Sequence, residues 1–126
     1  MIPRFFEQDS DTGRLSLRSL RSLSVAGSRE FTSAVRPMLD LFSAELHGFG
    51  VSAALASGEW TGGQPALSVV EEPDLPDEGY RLEVSAVGVR LVASTARGAF
   101  YGTRSLLVAL GTSGELSYGR VVDRPR

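Results

Sequence analysis

Two short runs in the second half of this sequence admit only one kind of backbone. In Tyr80-Arg81-Leu82-Glu83-Val84-Ser85, apolar and polar side chains alternate without a break. Val89-Arg90-Leu91-Val92-Ala93-Ser94 nearly repeats the pattern. A period of two puts every second side chain on one side of an extended chain; a helix would scatter the same residues around its axis. With a short turn near Gly88 between them, the runs predict an antiparallel hairpin. One of its faces is buried and the other carries Arg81, Glu83 and Arg90.

Two segments have the other period. Gly27-Ser28 opens the first: Ser28 suits the N-cap, and Glu30 places negative charge at the positive end of the helix dipole. Phe31, Val35, Met38, Phe42 and Leu46 then form one apolar stripe, until Gly48 and Gly50 end the element. Pro37 lies inside and is expected to kink or split the helix, since it lacks a backbone donor. The second helix is expected from about Ala96 to Leu110. Ala99, Phe100, Leu106, Leu107 and Leu110 lie on its apolar side, and Gly111 suits the C′ position. Gly98 and Gly102 share a face of it. Each costs the helix about 1 kcal/mol relative to alanine, so close approach of the helix backbone to the sheet is expected there.

The remaining elements are read more coarsely. Residues 1–14 are polar after an aromatic pair, with a turn at Asp9, Asp11 and Gly13. Leu15-Ser16-Leu17 alternates as a strand does. Leu17, Leu20 and Leu23 recur every three residues, while Leu23-Ser24-Val25 suits a strand; abundant serine and no capping signal favour the strand. Strands are expected around Val51 to Leu55 and Ala66 to Val70, joined by the loop Ser57–Gly63, with a last strand at Gly119–Asp123 stopped by Pro125. Together these give one α+β domain over residues 1–126: a mixed, mostly antiparallel sheet with two amphipathic helices packed on one face, a zincin-like α/β sandwich.

Composition closes off several classes. The 126 residues carry a net charge of −2, so no basic field draws nucleic acid or anionic lipid. No apolar run approaches the roughly 20 residues of a membrane span. Met1–Glu7 lacks the apolar core of a signal peptide, which leaves cytoplasm and secretion both open. Without cysteine there is neither a disulfide framework nor thiolate chemistry. All thirteen basic residues are arginine; we read this as nucleotide composition and not as phosphate recognition.

Three pieces of sequence stand in a telling order: Glu78-Gly79-Tyr80-Arg81-Leu82, then Gly98-Ala99-Phe100-Tyr101-Gly102-Thr103-Arg104-Ser105-Leu106, then Val122-Asp123-Arg124-Pro125. This order resembles the non-catalytic α/β domain that precedes the (β/α)8 barrel in family 20 glycoside hydrolases, the β-N-acetylhexosaminidases. The opening Ile2-Pro3-Arg4 is similar to the usual start of that domain. Ser105-Leu106-Leu107-Val108-Ala109 departs from the family by lacking a glutamine after the leucine. A similar front domain precedes the barrels of enzymes of the O-GlcNAc-hydrolase and α-glucuronidase kinds. The resemblance implies an exo-acting parent enzyme that uses the substrate's own acetamido oxygen as nucleophile, with an Asp-Glu pair in the barrel. It implies the barrel as partner of this domain, glycan reached only through that barrel, and Gly79, Tyr80, Gly98, Phe100, Tyr101, Gly102, Leu106, Asp123 and Pro125 as packing residues. Cut from a barrel, the domain is expected to expose an apolar patch and self-associate through it.

No catalytic residue is carried over, and no cofactor or metal is expected. Glu71-Glu72 and Asp77-Glu78 are acid pairs in a proline-rich loop, where solvation leaves no general acid. His47 is the only histidine, too few for a zinc site, and reads as a helix-end residue. Trp60, between glycines, is the one residue suited to stacking on a sugar, which keeps a stand-alone glycan- or protein-binding module open as an alternative; local packing is the plainer reading. Arg81 and Arg90 read as a solvated or domain-docking face.

Overall fold

The computed structural model describes residues 13–55 and 65–123. Trp60, Pro125, the Ile2-Pro3-Arg4 start and the Ser57–Gly63 loop therefore lie outside the described residues. Within them the chain runs β1 (Arg14–Ser16), a 3-10 turn (Leu17–Ser19), β2 (Ser22–Ala26), α1 (Arg29–Gly48), β3 (Ala54–Leu55), β4 (Ala66–Glu71), β5 (Tyr80–Ser85), β6 (Gly88–Ala93), α2 (Ala96–Thr112), β7 (Glu115–Ser117) and β8 (Gly119–Asp123).

The described strands form a main sheet of order β3-β2-β4-β6-β5-β8, and β1 pairs with β7 in a small second sheet. The hairpin sits where the alternating runs place it, Tyr80 opposite Ala93 and Ser85 opposite Gly88. The sheet is mixed. β3, β2, β4 and β6 pair in parallel, and β5 runs against β6 and β8, so it is the one strand of opposite direction. Parallel neighbours need a crossover, and α1 supplies the one from β2 towards β4. Antiparallel pairing, expected to dominate, is confined in the main sheet to the two edges of β5 and otherwise joins β1 to β7.

The pleat selects the buried face. Leu23, Leu67, Val89 and Val84 are in register across four strands, as are Val25, Val69, Leu91 and Leu82. These residues join Phe31, Val35, Leu39, Phe42 and Leu46 of α1 and Ala99, Leu106 and Leu110 of α2 in one core. α1 packs on β2 and β3, α2 on β5 and β6, and the helices touch each other. Leu39 is fully buried, whereas Met38, expected in the stripe, is only half-buried. The two are neighbours at the edge of one face, and the shorter side chain takes the deeper place.

Two further points differ from the expectation. Pro37 does not split α1, which is a single helix from Arg29 to Gly48. Pro37 and Ser33 are both exposed, so the Ser33 carbonyl deprived of its donor faces water and loses little. α2 continues through Gly111 to Thr112, whose hydroxyl donates to the Val108 carbonyl. The C′ role falls to Gly114, which has φ of 78° and donates its N–H to the Ala109 carbonyl at 2.8 Å.

Candidate functional site

The three motif segments converge. β5 begins at Tyr80, which pairs across with Asp123 of β8 and whose hydroxyl is hydrogen-bonded to the Ser105 hydroxyl of α2. Tyr80 and Leu106 are each 2% exposed, so both lie inside the core. Gly79 is buried beneath the start of α2. A Cβ added at Gly98 would run into the Gly79 carbonyl oxygen, 3.3 Å from the Ala93 Cβ and 3.4 Å from the Asp77 carbonyl oxygen. At Gly102 it would meet Leu91, 2.9 Å from Cδ2 and 3.1 Å from Cγ. The two glycines are thus the places where helix backbone lies directly on strand and loop.

The acidic segment is engaged with its surroundings more than a solvated loop would be. The Glu71 carboxylate accepts the Ser28 N–H at 2.7 Å, and the Ser28 hydroxyl caps the Phe31 N–H at 3.1 Å. Glu71 therefore closes the N-terminus of α1 from the end of the adjacent strand β4, where its charge complements the dipole. Glu78 pairs with Arg97 at 3.2 Å. The Asp77 carbonyl accepts from Thr95, itself the N-cap of α2, and the Pro76 carbonyl accepts from Ser94. Fixed loop chemistry of this kind depends on partners far along the chain, which residue spacing does not reveal. His47 is exposed in the last turn of α1. Among the described residues no group of three His, Cys, Asp or Glu could hold a metal ion.

On the sheet face away from the helices, a shallow groove of about 590 Å³ is lined by Ser24, Ser68, Ser85, Glu83 and Arg90, with Val70 and Val87 at its sides. Arg81 and Arg90 are not independent solvated charges. Arg81 Nε donates to Glu83 Oε2 at 2.8 Å and Arg90 Nη1 to Oε1 at 3.1 Å. Partial burial pushes the Glu83 carboxyl up, but the two arginine hydrogen bonds and charges outweigh it and hold the group below the ordinary 4.5. A carboxyl so held stays ionised at neutral pH and cannot serve as a general acid. The stabilisation it brings is present above the unfolded value and is lost as pH falls through the lower folded value. Melting temperature followed from about pH 5 to pH 2 should therefore fall less for Glu83→Gln than for the parent chain; parallel curves would remove Glu83 from the acid response.

The helix layer carries a different surface. Phe100, Arg104 and Val108 follow at intervals of four along the side of α2 opposite its buried residues, and Leu41 and Glu45 share a face of α1. Arg104 Nη1 donates to Glu45 Oε2 at 2.7 Å and Nη2 donates to the other oxygen, so one fork joins the two helices. The Arg104 guanidinium lies over the Phe100 ring at 4.8 Å from its centroid. The hydrogen bond from Arg104 holds the Glu45 carboxyl below its ordinary value against a smaller opposing effect of burial. Phe100, expected on the apolar side of α2, is 36% exposed and faces outward, because the glycines at 98 and 102 occupy the contact side. Leu41 is 50% exposed, Val108 66% and Phe49, the C-cap of α1, 40%. The only other large exposed apolar residue among those described is Val87, in the hairpin turn.

A helix layer on one face of a mixed sheet is the architecture of an α+β domain. The chain belongs to the family described as glycosyl hydrolase family 20, domain 2, whose model matches residues 1–124. Domain 2 is the non-catalytic domain of these hydrolases. Among solved structures, the β-N-acetylhexosaminidase from Bacteroides fragilis NCTC 9343 is similar with a TM-score of 0.64 at 23% identity, over 91% of this chain and 22% of its own. The GH20 β-N-acetylhexosaminidase from Streptomyces coelicolor A3(2) is similar with a TM-score of 0.61 at 24% identity, over 86% of this chain and 23% of its own. A GH138 enzyme targeting pectin rhamnogalacturonan II shares the fold too, with a TM-score of 0.63 at 16% identity over 82% of this chain and 12% of its own. The chain thus spans less than a quarter of each of these proteins. No curated protein sequence matches it.

Proposed function

We propose that this chain is the accessory domain of a β-N-acetylhexosaminidase, in which a catalytic (β/α)8 barrel on the same polypeptide removes terminal N-acetylhexosamine by substrate-assisted hydrolysis. The family match over residues 1–124 carries this reading. The domain's role in it is mechanical. Its sheet and core make a rigid plate, and the outward side of the two helices, with Leu41, Phe49, Phe100 and Val108, is the surface the barrel covers. Apolar side chains gathered on one side of a domain are a mark of a docking surface.

The reading is tested by hydrolysis of a chromogenic N-acetyl-β-D-glucosaminide. The 126-residue chain should give no turnover above buffer, and the polypeptide that continues it should give turnover inhibited by N-acetylglucosamine thiazoline, a mimic of the acetamido-derived intermediate. Turnover by the 126 residues alone, or none by the longer polypeptide, would contradict it.

A further inference from the structure

An arginine on a helix surface ordinarily leaves most of its guanidinium free in water. Arg104 does not. Two of its donors are spent on both oxygens of Glu45, its plane covers the Phe100 ring, and its Nε is buried with no acceptor among the described residues. The side chain is therefore held in one conformation while it still sits in the outward apolar stripe between Phe100 and Val108. Immobilising a long side chain is a large part of what docking costs, and here that part is met before any partner arrives. Each Nη keeps one N–H that Glu45 does not engage.

We propose that Arg104 is the polar anchor of the docking surface, donating from its guanidinium to a backbone carbonyl oxygen on an otherwise apolar patch of the partner barrel. This rests on the docking surface proposed above. A neutral acceptor is favoured because the Arg104–Glu45 pair has no net charge; a partner carboxylate would set two anions around one cation. Arginine flanked by aromatic and aliphatic side chains in a desolvated centre is the composition in which interface energy concentrates.

The test uses the polypeptide that carries both this chain and the barrel, with the half-life of hexosaminidase activity at raised temperature as readout. Arg104→Lys keeps the charge and the pairing with Glu45 but loses the planar fork. It should shorten the half-life about tenfold, an effect of the size expected for one interface anchor. In the 126-residue chain alone the same change should leave melting temperature nearly unmoved, since the pair is part-exposed and such pairs contribute little. Leu41→Asp and Val108→Asp serve as controls of the surface itself. If they shorten the half-life and Arg104→Lys does not, the anchor is overturned while the docking surface stands. If all three leave the half-life unchanged, the docking surface fails as well. If Arg104→Lys lowers the stability of the 126 residues alone by as much, Arg104 merely ties the two helices together and the anchor is again overturned.

Discussion

Phe42→Ala should destabilise the chain by about 3–5 kcal/mol, the usual range for an aromatic ring removed from a core. Phe42 is 1% exposed and is the largest of the fully buried side chains among the described residues. It stands in the middle of the α1 stripe, between Leu39 and Leu46, in the core that the helices share with the sheet. Removing it leaves a cavity that a helix packed on both a sheet and a second helix cannot easily collapse. At roughly 3–5 °C per kcal/mol for a domain of this size, melting temperature should fall by about 9–25 °C. A fall no larger than that of an exposed change such as Leu41→Ala would mean that α1 is not seated on the sheet.

Gly98→Ala should also destabilise, by about 1–2 kcal/mol net, although alanine is the better helix former. Helix propensity alone favours the change by about 1 kcal/mol. The new methyl group, however, meets the Gly79 carbonyl, and backbone cannot rotate away as a side-chain end can. Overpacking of this kind typically costs 1–3 kcal/mol and occasionally more. Gly48 is the internal control, because a Cβ there meets nothing within 4 Å. Gly48→Ala should therefore leave stability unchanged or raise it slightly. Two glycine-to-alanine changes of the same sign in a thermal melt would remove the close approach of α2 to the start of β5.

The elements that could be read from sequence are those whose signal is local. The strict alternation at Tyr80–Ser85 and the stripe from Phe31 to Leu46 each fix a period, and Ser28 names its own helix start by capping the Phe31 N–H. The three motif segments carried the family. What was not legible depends on pairing across distance. Nothing local to Ser22–Ala26 says that it lies parallel to Ala66–Glu71, and a three-residue strand such as Glu115–Ser117 has too few positions to show a period. Gly111 and Gly114 both suit a helix end; Thr112 decided between them by bonding back to Val108. At the candidate surface, the apolar character of Phe100 was plain but its direction was not. The pair Gly98 and Gly102 had already claimed the sheet side of α2. The Glu45–Arg104 fork joins residues 59 apart in sequence, and Glu71 reaches Ser28 over 43. Either link could have been suspected only once both helices were placed.

The role assigned to the helix layer is open to one direct measurement, hydroxyl-radical footprinting of the 126 residues alone and within the polypeptide that continues them. Leu41, Phe100 and Val108 should be oxidised readily in the first and protected several-fold in the second, while Val87, exposed in the hairpin turn away from the helices, should react alike in both. Protection of Val87 with the helix residues left reactive would contradict it, and would put the partner against the sheet.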